Sequence, residues 1–84
     1  MTNTSDKEYM QSNLDKLHIT PMGDARIKLN TKSNKDIVTW VKQIINNEKS
    51  RVTKRGKNFY VQMDNLIFTV TASSMTIITG HYLK

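Results

Sequence analysis

The strongest constraint in this 84-residue sequence is a change of hydrophobic period near residue 50. Ahead of it, Ile37, Trp40, Val41, Ile44, Ile45 and Glu48 follow the 3.6-residue period of an amphipathic helix, with Lys35, Thr39, Lys42, Gln43 and Asn46 on the other side. Asn46-Asn47 offers its stop. Behind it the period falls to two. "RVTKR" alternates around Val52, "NFYVQM" puts Phe59, Val61 and Met63 on one face, and "LIFTVTA" does the same with Leu66, Phe68 and Val70. "MTIITGHYL" supplies a fourth strand. Gly56 in "GKN", Asp64-Asn65 and Ser73-Ser74 mark the turns between them. Period 2 cannot sit still as a helix, so the chain must divide into helices first and strands second.

Two shorter helices are expected before the core helix. Met10, Leu14 and Leu17 recur at helical spacing across Asp6 to Leu17. Thr20-Pro21 is a good N-cap and N1 pair, because proline's missing N–H is not needed in a first turn. The helix it opens would turn Met22, Ala25 and Leu29 to one side and stop at Asn30, with Gly23 weakening it. Ser33 with Asp36 resembles a capping box in which Asp replaces the usual Glu. The expected architecture is α+β: N-terminal helices packed on one face of a four-stranded antiparallel meander sheet. One domain over residues 1–84 is expected, with residues 1–5 disordered.

The other face of that sheet would then be open. Tyr60, Gln62, Thr69 and Thr71 fall on it by alternation. The last strand is ambiguous: Met75, Ile77, Thr79 and His81 share one face, Thr76, Ile78, Gly80 and Tyr82 the other, and neither set is purely apolar. Its edge is unprotected by charge until Lys84, which leaves edge pairing and a dimer open beside a monomer.

Charge narrows the partners. The net charge is +6, and from Arg26 to Lys57 the only acids are Asp36 and Glu48. Arg26, Lys28, Lys49, Arg51, Lys54, Arg55 and Lys57 are the candidate nucleic-acid-binding residues, the last five within "KSRVTKRGK". Such a cluster attracts phosphates or an acidic protein surface, or stands as a solvated loop. Cysteine is absent, and His18 and His81 are the only histidines, so no metal site and no cofactor is expected. His18 would cap the second helix or pack beside Trp40. No apolar run reaches bilayer length and the N-terminus lacks a signal-peptide core, so the expectation is a soluble cytoplasmic protein with no membrane role.

A polar sheet face holding Thr79 and His81 beside Thr69, Thr71 and Tyr60 could bind a phosphodiester and offer it a proton donor or acceptor. The candidate catalytic set is His81 as acid or base, Arg55 and Lys57 on the phosphorane charge, with Thr79 and Tyr60 orienting the phosphate. Each also has an ordinary role: threonines suit solvated strands, and Tyr60 can serve as a packing residue.

"LHITPMGDARIKLN", "DIVTWVKQII", "RGKNFYVQMDNLIFTVTA" and "TIITGH", in this order, resemble an uncharacterised family of small bacterial proteins, the domain of unknown function 3781. The resemblance covers about residues 14–81, and "TIITGH" is its most specific part. More distantly, the helix-then-strand layout is similar to the small metal-independent ribonucleases of the barnase, EndoU, colicin and RelE type. That likeness implies RNA cut on the sheet face with the 2′-hydroxyl as internal nucleophile, an implication at the level of fold alone.

The expected function is thus a small basic protein engaging nucleic acid, RNA first, through the basic hairpin and polar sheet face. Whether it cleaves, as a toxin-type endoribonuclease would, stays open. The alternative is a non-catalytic phage or mobile-element protein that binds and inhibits a host nucleic-acid-handling protein.

Overall fold

The structure is a computed structural model that describes residues 6–83. The expectation for residues 1–5 and the edge charge of Lys84 lie outside the described residues. Three helices cover one face of a five-stranded mixed sheet of order β1-β5-β4-β3-β2. The helices are α1 (Asp6–Ser12), α2 (Pro21–Thr31) and α3 (Ile37–Asn46). The strands are β1 (His18–Ile19), β2 (Arg51–Arg55), β3 (Asn58–Met63), β4 (Leu66–Thr71) and β5 (Thr76–Tyr82). Among the described residues no helix is long and apolar enough to cross a membrane.

α3 forms as its period requires. Ile37, Trp40, Val41, Ile44 and Ile45 are buried, and Trp40 meets Phe68 edge-on with ring centroids 5.3 Å apart. Its N-cap is Asp36, whose carboxylate accepts from the Thr39 amide. Ser33 instead turns inward on its own loop and accepts from Lys35 N, so the Ser33 capping box is corrected. Glu48 is exposed beyond the helix end. α1 tethers to the C-terminal end of α3 through Lys7, whose Nζ donates to the carbonyls of Asn47 (2.6 Å) and Ser50 (3.0 Å). The first helix is shorter than expected. It ends at Ser12, and a 3₁₀ turn over Leu14–Lys16 follows.

α2 opens at the Thr20-Pro21 signal, with Thr20 Oγ1 accepting from Gly23 N. It ends at Lys32 in the left-handed region rather than at Asn30. Its buried side is also not the expected one. Gly23, Ile27 and Thr31 face the sheet, whereas Met22 and Leu29 are 76% and 77% exposed. The reason is close approach. A Cβ at position 23 would stand 3.2 Å from Thr20 Oγ1, 3.3 Å from Ile19 Cγ1 and 3.4 Å from the Ile77 carbonyl. The helix lies down on its smallest residue.

The meander β2–β5 is antiparallel throughout, as alternation requires, and Phe59, Val61, Leu66, Phe68 and Val70 are buried in it. The sheet has five strands instead of four. β1 joins the free edge of β5 in parallel, with His18 opposite Thr76 and Ile19 opposite Ile77. The edge of β5 that the sequence left open to pairing is thus taken, at its first residues, by β1 of the same chain.

β5 resolves its own ambiguity through a β-bulge. Thr79 pairs with Thr69 while Ile77 pairs with Val70, so Ile78 is an extra residue with no partner of its own. Strict alternation therefore fails across this point. Ile77 and Gly80 face the core, and Thr76, Thr79 and His81 share the open face. Ile78 bends outward, 39% exposed.

Candidate nucleic-acid interface

The pairing register lays the open face out in rows that run across the strands. One row is Arg55, Asn58, Thr71, Thr76 and His18 from β2 to β1. The next is Thr53, Tyr60, Thr69 and Thr79, and the third is Arg51, Gln62, Ile67 and His81. Both arginines therefore stand on the β2 edge and both histidines on the β5 and β1 edge. Among the described residues no strand of the sheet carries an aspartate or glutamate. A depression of about 410 Å³ lies on this face, lined by Thr53, Arg55, Tyr60, Gln62 and Ile67.

The structure brings some of the anticipated residues together and separates others. Tyr60 and Thr79 occupy one row, two strands apart, with Thr69 between them. His81 and Arg51 end another row, three strand spacings apart, which is about 14 Å. Arg55 lies four residues along β2 from Arg51, so the diagonal from His81 to Arg55 is roughly 20 Å between backbones. Lys57 is beyond Arg55, past the turn at Gly56. His81, Arg55 and Lys57 thus do not converge on one phosphate. His81 is exposed, and its side chain makes no hydrogen bond among the described residues.

The other cations divide between surfaces. Lys54 pairs with Phe59 and so faces the helix side, where its backbone N–H donates to Asp6 Oδ2 at 3.0 Å. Lys49 is exposed in the turn before β2, its amide bonded to Asn47 Oδ1. Arg26 is exposed on α2, in the helix layer, and Lys28 forms an i,i+4 ion pair with Asp24 at 3.0 Å.

His18 is the residue whose place the sequence reading missed. It neither caps α2 nor touches Trp40's side of the sheet. It is exposed on the open face within a directed chain of hydrogen bonds. Its Nδ1 meets the Lys16 carbonyl at 2.9 Å, its Nε2 meets Thr76 Oγ1 at 2.9 Å, and Thr76 Oγ1 meets Ser74 Oγ at 2.7 Å. A carbonyl can only accept, so Nδ1 carries the proton, and in the neutral ring Nε2 is the acceptor. Thr76 then donates to His18, and Ser74 donates to Thr76. The available signal was the alternation of Leu17 in, His18 out, Ile19 in, over a stretch too short to read as a strand. Among the described residues no three His, Cys, Asp or Glu gather as a metal-binding group would.

The family described as "Protein of unknown function (DUF3781)" matches residues 11–81. No curated protein and no solved structure matches the chain, so the likeness to the small ribonucleases gains no structural neighbour.

Proposed function

The chain belongs to the DUF3781 family, whose function is unknown, and on its own residues we propose that it binds single-stranded nucleic acid, RNA in the first place, across the open face of its sheet. The observation that carries the proposal is the absence of any carboxylate from the strands, combined with Arg51 and Arg55 on one edge of that face. A guanidinium takes a phosphate in bidentate fashion, and two on one edge define a track for a backbone. Tyr60, in the depression beside Arg55, gives one base a surface to stack on. Threonine hydroxyls, Asn58 and Gln62 offer partners to 2′-hydroxyls and base edges. With one aromatic and two arginines the affinity rests largely on charge, and it falls as salt rises.

Binding, rather than cleavage, is the activity this layout supports, because the imidazoles and guanidiniums occupy opposite edges. The test is fluorescence anisotropy with a labelled single-stranded RNA at about 50 and 200 mM salt, using wild type and an Arg51→Glu, Arg55→Glu double variant. Salt-sensitive binding that the double variant loses is expected. Absence of binding at the lower salt sinks the proposal, and a salt-insensitive association with a host protein instead favours an inhibitor. RNA integrity in EDTA, with His81→Ala as control, checks for metal-independent cleavage in the same samples.

A further inference from the structure

A groove of about 750 Å³ lies at the other side of the hairpin tip, between α1 and the turn that leads into β5. Of its lining residues only Thr71 belongs to a row of the open face. We propose that the groove is a site for a single nucleotide, with the base against Tyr9 and the phosphate between Lys54 and Lys57.

Three observations point to that chemistry. Tyr9 and Phe59 both line the groove and stack with ring centroids 5.6 Å apart and planes 28° apart. Tyr9 nevertheless stays 45% exposed, so an aromatic surface is presented on a ready-made support. Any base can extend such a stack. The ammonium groups of Lys54 and Lys57, also lining the groove, make no ion pair or hydrogen bond among the described residues. They leave two positive charges at the groove for a phosphate. Asp6 is the third element. One of its oxygens accepts from Lys54 N, and a carboxylate keeps acceptor capacity beyond one bond. That suits the exocyclic amino group of adenine, guanine or cytosine and excludes a second phosphate from that end. The groove's volume lies within the range of about 300–1,000 Å³ usual for small-ligand sites.

The nucleotide comes either free or as the end of a strand passing over the hairpin tip, where Arg55 faces one side and Lys54 the other. Only the second source rests on the function proposed above.

Amide NMR titrations with 5′-AMP, with adenosine and with a short single-stranded RNA decide the matter. AMP is expected to shift the amides of Gly56, Lys57, Ala72 and Ser73 while leaving Thr69 and Thr79 unmoved. Adenosine, lacking the phosphate, should bind roughly tenfold more weakly or worse. A Lys54→Glu, Lys57→Glu variant should lose AMP affinity to the same degree, Tyr9→Leu should weaken AMP and adenosine alike, and Arg26→Glu should change neither. Groove amides unmoved by AMP, or equal affinity in the double lysine variant, would overturn the site. Strand binding without AMP binding overturns the groove alone, and AMP binding without strand binding leaves the groove standing and removes the open-face reading.

Discussion

Gly80 on β5 stands directly opposite Phe68 on β4, and the Phe68 ring fills the space that a side chain at position 80 would need. An ideal Cβ at that position would overlap both Cδ1 and Cε1 of the ring. Phe68 cannot yield easily, since it is buried and packs edge-on against Trp40. Gly80→Ala should therefore destabilise the fold by about 1–3 kcal/mol, the usual range for overpacking. Urea unfolding followed by Trp40 fluorescence measures this directly. A Gly80→Ala variant as stable as wild type would show that the ring is free to move.

α2 yields a paired prediction, because its hydrophobic residues and its buried residues are different sets. Met22→Ser and Leu29→Ser should each change stability by no more than about 0.5 kcal/mol, as exposed substitutions do. Ile27→Ala, at a fully buried position, should cost about 2–5 kcal/mol. Denaturant midpoints of the three variants rank them. The opposite ranking would mean that the helix is rotated about its axis.

The chain of hydrogen bonds through His18 predicts a tautomer. In neutral His18 the proton is on Nδ1, held by the Lys16 carbonyl, and long-range ¹⁵N spectra of the imidazole report it. Thr76→Val removes the donor to Nε2 and should cost about 0.5–1.5 kcal/mol, loosening β1 from β5. Faster amide exchange at His18 and Ile19, with the rest of the sheet unchanged, is the expected signature. An Nε2–H tautomer in wild type contradicts the assigned direction.

Asp36 sets a pH dependence. Hydrogen bonds from the Thr39 hydroxyl and then from its amide hold the Asp36 carboxyl below the ordinary aspartate range. A depressed carboxyl stabilises the fold above its unfolded value, near about 3.9, and that contribution fades as pH falls through the lower folded value. Asp36→Asn keeps an N-cap acceptor but cannot titrate, so its melting temperature should vary less with pH than that of wild type at the acid end. Parallel profiles for the two proteins would remove Asp36 from the acid transition.

The two arginines of β2 should also appear in the salt dependence of RNA binding. Each phosphate neutralised on a single strand contributes about 0.7 to the log–log slope, so Arg51→Ala with Arg55→Ala should flatten it by about 1.4. Arg26→Ala, on the helix layer, should leave the slope as it was. A slope unaffected by the β2 pair would place the phosphate contacts elsewhere.

How far this molecule can be read from its sequence depends on how many residues carry each signal. α3, β3 and β4 each repeat their pattern over several residues, and Thr20-Pro21 is local chemistry that works wherever it falls. The side that α2 buries is different. It is decided by how closely backbone can approach backbone at Gly23, a contact that hydrophobicity does not encode. β1 is too short to establish a period and exists because β5 offers it an edge. The bulge at Ile78 has no punctuation at all, since Ile77-Ile78-Thr79 suits a regular strand equally well. On the candidate interface, Tyr60, Thr69 and Thr71 followed from alternation alone. The company that Thr79 and His81 keep could not, and neither could the separation of His81 from Arg55, because each depends on the order and register of strands remote in the chain.

The one unpaired residue at Ile78 works as a phase shift in a two-beat signal. Everything after it is heard on the opposite beat, so the face that the tail presents is fixed by whether Ile78 takes a partner. A single deletion between Ile77 and Thr79 would leave the composition of the strand almost untouched. It would also close the bulge, since Val70 and Thr69 would then meet adjacent partners, and His81 would keep its place on the open face. The consequential change is the loss of the bulge at unchanged length: pairing Ile78 in regular register would send Thr79 and His81 inward and Gly80 out, exchanging lining for coat along the rest of the strand.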